Sequence, residues 1–301
     1  MRVLSFRNVY KRFKRIEALR GASFEIPRGS IAGLLGPNGA GKTTSIKISL
    51  GLLRRDSGEV EVLGFDPWHD EIEVRSRVGV LHERPIYPPN VRVSKLLLHL
   101  ARLKGGDQRD VKRVVNVTGL KEYLDTKIKV LSRGYLQRLG LAQTLLGDPE
   151  VLLLDEPTAN LDPIARNEIL DLIRSLKEEL DVTVLISTHI LPELQRICDY
   201  AIFISMGTVL DYGSMEDLVS RHNVRAVLKI TTTKPRVLAS NLVLDERVES
   251  IEMHKSSLLV RTLPGYWREL ENKAYELGAE RVELVKVSLY ELYQTVLKYA
   301  Q

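Results

Sequence analysis

The chain has 301 residues, 44% hydrophobic and 28% charged, so disordered and collagen-like classes are excluded and about two domains are expected. Lys plus Arg is 44 against 39 Asp plus Glu, a net charge of +5. Such a mild excess suits an anionic membrane surface or nucleic acid, but is more often that of an ordinary soluble protein. A single cysteine, Cys198, excludes an intramolecular disulfide framework and a cysteine-cluster metal site, and points to a reducing compartment. The apolar runs Ile31–Leu35 and Val151–Leu154 are strand-sized, so no membrane-spanning helix is expected. The first residues lack the apolar stretch of a secretory signal.

Strand signals open the chain at Val3–Val9, Ala22–Ile26 and Ser30–Leu35. A glycine-rich stretch follows, then a predicted helix over Thr43–Leu53, and strands at Glu59–Leu63 and Arg77–Leu81. From Ser94 to about Gly147 the pattern turns helical, with Leu96, Leu97, Leu100 and Leu103 recurring at three and four. Strands return at Val151–Leu154, Thr183–Ser187 and Tyr200–Ile204, with a helix over Pro163–Leu180. Alternation of this kind predicts an α/β fold with a parallel sheet. A boundary falls near Ser220–Asn223. Beyond it the order is strand 225–231, helix 235–243, strands 247–253 and 257–262, helix 265–277, strand 280–286 and helix 288–299. This β-α-β-β-α-β order is that of a small ferredoxin-like α+β domain.

Gly36-Pro37-Asn38-Gly39-Ala40-Gly41-Lys42-Thr43 fits G-x-x-x-x-G-K-[ST], between an apolar strand and a helix. The glycines allow the backbone to wrap a phosphate, and the amides of the loop and helix start face the anion. Lys42 would carry the point charge for β- and γ-phosphates, and the Thr43 hydroxyl is a hard ligand for Mg²⁺. A second apolar strand ends in Asp155-Glu156. Behind a phosphate loop the first acid would hold Mg²⁺ through water and the second would accept a proton from an attacking water. Ser132 and Gly134, in Leu131-Ser132-Arg133-Gly134, offer a hydroxyl and a small residue at a helix start, suited either to an anion or to a plain cap. His189 follows another strand, and ligands of open α/β sheets collect at such strand ends.

Taken in order, the phosphate loop, Leu-Ser-x-Gly, Asp-Glu, Ala159-Asn160-Leu161-Asp162 and His189 resemble the nucleotide-binding subunit of an ATP-binding cassette (ABC) transporter. The likeness covers about 2–219, and Gly33–Thr44, Gln137–Asp162 and Ser187–Leu194 bring it nearest the drug- and antibiotic-exporter-like branch. It implies a P-loop NTPase fold: a RecA-like parallel core sheet with N-terminal antiparallel strands. The cassette would span 1–221, with a helical subdomain at about 88–144 and an accessory domain at 224–301.

The resemblance also assigns roles. Phe13 matches the aromatic that stacks on adenine, with Tyr10 a nearby rival. The phosphate loop through Thr44 would bind ATP. Ser132 and Gly134 would touch the γ-phosphate of ATP held by a second subunit, Asp162 belongs to the loop crossing between subunits, and His189 would read the γ-phosphate. Glu83 stands where the family usually has Gln near the metal; an ionised carboxylate can reach Mg²⁺ or its water but donates no hydrogen bond. Arg133 and Tyr135 also depart from the common signature, in ways similar to the exporter-like branch. The implied function is ATP hydrolysis by a head-to-tail dimer on the cytoplasmic membrane face, powering export through a separate membrane-spanning subunit, with no nucleic acid partner. The alternatives are a soluble cassette ATPase and a small-molecule kinase. The C-terminal domain reads as a stabilising or dimerising appendage or as a regulatory unit.

Overall fold

A computed structural model of the chain describes residues 1–287 and 289–299. The chain divides into two compact units, 1–193 with 197–212, and 194–196 with the described residues from Gly213 onward.

The first unit opens with β1 (Arg2–Phe13) and β2 (Ile16–Pro27), an antiparallel pair. Then come β3 (Ile31–Leu35), α1 (Lys42–Ser49) and β4 (Ser57–Val62), which pairs with the other side of β1. Next are α2 (Glu71–Arg77), β5 (Val78–Leu81) and the helices α3 (Val93–Leu103), α4 (Gln108–Thr118) and α5 (Arg133–Thr144). The unit continues through β6 (Val151–Asp155), α6 (Pro163–Leu180), β7 (Thr183–Thr188), α7 (Leu191–Leu194), β8 (Tyr200–Ser205) and β9 (Thr208–Ser214).

Two sheets result. One is antiparallel, in the order β2-β1-β4; the other has the order β5-β6-β7-β3-β8-β9. From β5 to β8 the second sheet is parallel. Every residue of β3, β6 and β7 is buried, as strands covered on both faces require. Phe6 stacks on Phe24 with ring centroids 4.6 Å apart. With Leu4, Ile46, Leu34 and Leu153 they form one core that joins the antiparallel sheet to the parallel one through α1.

Several sequence expectations change. Helix α1 stops at Ser49 rather than Leu53: Leu50 caps it by bonding back to Ile46, and the chain turns at Gly51. Strands β1 and β2 run beyond Val3–Val9 and Ala22–Ile26, because hairpin pairing carries Lys11 opposite Leu19 and Arg12 opposite Glu17 without any apolar alternation. Helix α2 was not foreseen; it is short, charged and buries only Val74. Strand β9 was also missed, its pattern being largely half-buried. In α3 the buried seam is Val93, Leu97 and Ala101, while Leu103 is exposed.

The second unit holds α8 (Met215–His222), β10 (Ala226–Thr231), α9 (Pro235–Leu242), β11 (Val248–Met253), β12 (Ser257–Thr262), α10 (Trp267–Glu276), β13 (Arg281–Val287) and α11 (Leu289–Tyr299). Its four-stranded antiparallel sheet has the order β11-β12-β10-β13, the arrangement of a split βαβ, ferredoxin-like unit. Leu228, Ile230, Leu258 and Val260 are buried in alternation along the two central strands. Helix α9 lies against β11 and β12, α10 against β10 and β13, and α11 against α8. The predicted last helix begins at residue 288, outside the described residues.

Candidate active site

Strands β6, β7 and β3 lie side by side and parallel, with Asp155 opposite Ser187 and Leu35 opposite Thr188. Their carboxyl ends therefore share one edge of the sheet, and three segments leave it there: the phosphate loop after β3, Glu156 after β6 and His189 after β7.

The loop geometry explains its glycines. A Cβ on Gly36 would stand 2.0 Å from the Ile204 carbonyl oxygen, so nothing larger fits beside β8. Gly41 has φ +110°, in the region L side chains avoid, and caps α1 without any side-chain hydrogen bond. The first amides of α1 are thus left for another acceptor, and a helix start favours an anion. Lys42 is buried and folds back over the loop, its Nζ donating to the Gly36 carbonyl at 2.8 Å and the Pro37 carbonyl at 3.2 Å. The same nitrogen lies 3.5 Å from Glu156 Oε1.

Glu156 is buried and takes φ +49°, a strained value for a non-glycine residue. Its N–H donates to both the carbonyl and the hydroxyl oxygen of Ser187, each at 3.1 Å. His189 Nδ1 stands 3.0 Å from both carboxylate oxygens, and Thr188 Oγ1 donates to Oε2 at 3.4 Å. An ionised carboxylate only accepts, so against it the imidazole would donate from Nδ1 and present Nε2 on its far side. Asp155 is buried behind this pair, with Oδ1 accepting from Ser187 Oγ at 2.5 Å. Ser187 therefore braces both acids, a role the sequence reading missed by attending to the histidine alone. The signal was present: a hydroxyl in register with the strand-ending acid.

Lys42, Glu156 and His189 face an open cleft of about 490 Å³. Asn38, Gly39, Gly41, Lys42, Thr43, Thr44, Glu83, Glu156 and His189 line it. Phe13 lines it and Tyr10 does not; Ile16 and Ala18 of β2 complete that apolar end, which the sequence did not single out. Gly36, Pro37, Ala40 and Asp155 do not line it; Ala40 closes the loop through its N–H to the Pro37 carbonyl at 3.2 Å. Glu83 has a half-exposed side chain, 3.3 Å from Arg84 Nε.

Ser132, Gly134 and Asp162 are elsewhere. They line a separate hollow of about 160 Å³. Ser132 caps α5, accepting from the Tyr135 N–H at 3.4 Å. Asp162 caps α6, accepting from the Ile164 and Ala165 N–H groups at 3.0 Å each. Of the two signature departures, Arg133 donates to the Asn160 carbonyl at 3.2 Å, and the Tyr135 ring packs 3.9 Å from that of Tyr123.

Among the described residues no group of three or more His, Cys, Asp or Glu could hold a metal ion. The hydroxyl and carboxylate of Thr43 and Asp155 fit a hard cation that is shared with phosphate and water rather than caged by protein.

The sequence pattern of the ABC transporter family matches residues 19–159. An uncharacterized ABC transporter ATP-binding protein of Bacillus subtilis is 37% identical over 216 residues, 71% of each chain. The chain belongs to this family. It is an ATPase of the ABC type, on the drug-exporter-like branch: the bacitracin transport ATP-binding protein of Bacillus licheniformis is 31% identical over 271 residues, 89% of this chain and 87% of that one. A solved ATP-binding subunit of an ABC transporter superposes with a TM-score of 0.65 at 25% identity, covering 73% of this chain and 92% of that one. Among the described residues no helix is long and apolar enough to cross a membrane.

Proposed function

We propose that this ABC ATPase subunit works as a head-to-tail pair on the cytoplasmic face of the membrane, where ATP-driven closure powers export through a separately made membrane-spanning partner. The observation carrying this reading is the split of the site. Lys42, Glu156 and His189 share one cleft, whereas Ser132, Gly134 and Asp162 line another hollow. One copy thus presents two half-sites, and a second copy turned head to tail would bring hollow to cleft.

In this reading Phe13 stacks on adenine, the loop from Gly36 to Thr44 cradles the phosphates, and Lys42 moves from its loop carbonyls to the β- and γ-phosphates. Thr43 and Asp155, with Glu83 nearby, would hold Mg²⁺, which when bound offsets charge on the β- and γ-oxygens. Glu156 accepts a proton from the attacking water, and His189, held by Glu156 at 3.0 Å, offers its other nitrogen to the γ-phosphate.

A second groove, about 420 Å³ and mostly apolar, is lined by Leu50, Leu52, Val80, Leu100, Leu103 and Leu146. It opens at the helical subdomain, and an amphipathic cytoplasmic helix of the membrane partner fits its chemistry. The first unit, 1–193 with 197–212, is the motor; the second unit, whose main stretch begins at Gly213 rather than after residue 221, serves as a stabilising or dimerising appendage. No nucleic acid enters the cycle.

The test is affinity purification of the native complex from mild-detergent extracts of source membranes, with mass spectrometry of what accompanies it. A stoichiometric multi-spanning protein is expected. Recovery of soluble partners or ribosomes alone would overturn the transport reading in favour of a soluble cassette ATPase.

A further inference from the structure

Glu193 is a buried carboxylate to which the hydrolytic roles above assign no part. It lies in the short helix α7, four residues after His189, with its N–H on the Ile190 carbonyl at 3.3 Å. The Ile190 N–H in turn donates to Thr188 Oγ1 at 3.1 Å, the hydroxyl that reaches Glu156. Glu193 thus rides on the segment that carries His189.

Its two oxygens reach in different directions. Oε2 accepts from Thr158 Oγ1 at 2.5 Å; Thr158 is buried, two residues after Glu156. Oε1 stands 2.7 Å from Arg166 Nη1. Arg166 is in the first turn of α6, where its N–H bonds the Asp162 carbonyl at 2.9 Å and its Nη2 the Leu161 carbonyl at 3.2 Å. Asp162 lines the second hollow. One side chain therefore ties together the His189 segment, the turn following Glu156 and the loop that borders the other half-site.

The contacts are costly enough to need a reason. Burial raises the Glu193 pKa, only partly offset by Thr158 and Arg166, and the Glu156 charge raises it further. The Arg166 contact falls outside hydrogen-bond alignment, and the buried Arg166 Nε–H has no acceptor among the described residues. An apolar residue at 193 alone would leave the buried Thr158 hydroxyl and the Arg166 guanidinium without this partner.

We propose that Glu193 is a positioning residue for ATP hydrolysis. It holds the Glu156–His189 pair in register with the Asp162 loop, so that chemistry in the cleft and contact at the second hollow are set together. The assignment rests on the reading of Glu156 and His189 as the hydrolytic pair.

The test is steady-state ATPase kinetics and equilibrium ATP binding on the full chain, with thermal melting alongside. Glu193→Gln keeps the shape and can still accept from Thr158 but loses the charge facing Arg166. Its kcat should fall by about 10- to 100-fold, as for a small misplacement of reacting groups, with ATP affinity within about twofold of wild type. Glu193→Asp, which restores the charge on a shorter arm, should recover part of the loss. Arg166→Gln should mimic Glu193→Gln, and the double variant should be no worse than the poorer single one. Unchanged kcat in Glu193→Gln overturns the proposal, as do additive single effects. So does a kcat loss that merely tracks lost ATP binding and melting temperature. A wild-type chain that binds ATP yet never turns it over would overturn the hydrolytic reading itself, an outcome distinct from a fully active Glu193→Gln.

Discussion

Gly36→Ala probes how tightly the phosphate loop is fixed against the sheet. An added Cβ would lie 2.0 Å from the Ile204 carbonyl oxygen and 3.2 Å from its Cγ2, whereas real Cβ contacts essentially never fall under 3.0 Å. The clash is with strand backbone, so no flexible side chain can swing away. Either the loop or β8 must move by about 1 Å, the difference between those two distances. Overpacking of this kind costs about 1–3 kcal/mol, which a melting curve resolves. The larger effect is on catalysis. Lys42 Nζ is anchored on the Gly36 and Pro37 carbonyls and lies 3.5 Å from Glu156, so a shifted loop carries the lysine out of register with the acid. A displacement of 1 Å at reacting groups is worth up to about 100-fold in rate. ATP titration by intrinsic fluorescence and phosphate-release kinetics on the same preparation separate binding from turnover. A Gly36→Ala chain that melts, binds and hydrolyses like wild type would refute the steric argument and the placement of the loop.

Three further outcomes are expected. Ser187→Ala removes the hydroxyl bonded to Asp155 and to the Glu156 N–H; kcat should fall about tenfold in phosphate-release assays while ATP still binds, and an unchanged rate would show that Ser187 braces nothing. Glu83→Gln changes a half-exposed group at the cleft edge; ATP titration should show binding largely intact, and its complete loss would mean that Glu83 does more than position metal or water. In the second unit, Asp245 accepts from Arg247 Nε at 2.8 Å and Nη2 at 2.7 Å and from Lys273 Nζ at 2.5 Å, which holds its carboxyl well below the usual range. A depressed carboxylate contributes stability that is complete above the unfolded-state value near 4 and is lost as pH falls through the folded one. Asp245→Asn should therefore cost about 2 kcal/mol at neutral pH, and the gap between wild-type and variant melting should close at acid pH. A gap that widens on acidification would reverse the assignment.

Much of the architecture was legible because the sequence states it in apolar runs. Ile31–Leu35, Val151–Leu154 and Thr183–Ser187 are continuous, and they are the fully buried strands. The β-α-β-β-α-β order beyond residue 223 gave the second sheet for a similar reason: Leu228, Ile230, Leu258 and Val260 alternate inward. What escaped was held by pairing rather than pattern. The ends of β1 and β2 show no apolar alternation and are held by pairing, Lys11 with Leu19 and Arg12 with Glu17. Strand β9 closes one side of the large sheet with little burial to announce it.

The site divides along the same line. Motif residues were readable because phosphate chemistry demands them. Ser187, Thr158 and Glu193 were not, since each is an ordinary hydroxyl or acid whose meaning depends on a neighbour about thirty residues away. The separation of Ser132, Gly134 and Asp162 from the cleft was expected from the family resemblance, which places them against a second subunit's ATP; their hollow itself is formed by the packing of α5 and α6.

That separation makes assembly the central claim, and light scattering of the Glu156→Gln chain, with and without MgATP, tests it most directly. Removing Glu156, the acid proposed to accept the water proton, should leave nucleotide bound but unhydrolysed. The account predicts a particle of twice the mass when MgATP is present and a monomer when it is not, with one nucleotide per chain. A particle of unchanged, monomeric mass in both conditions, with ATP bound, would contradict a site completed by a second copy.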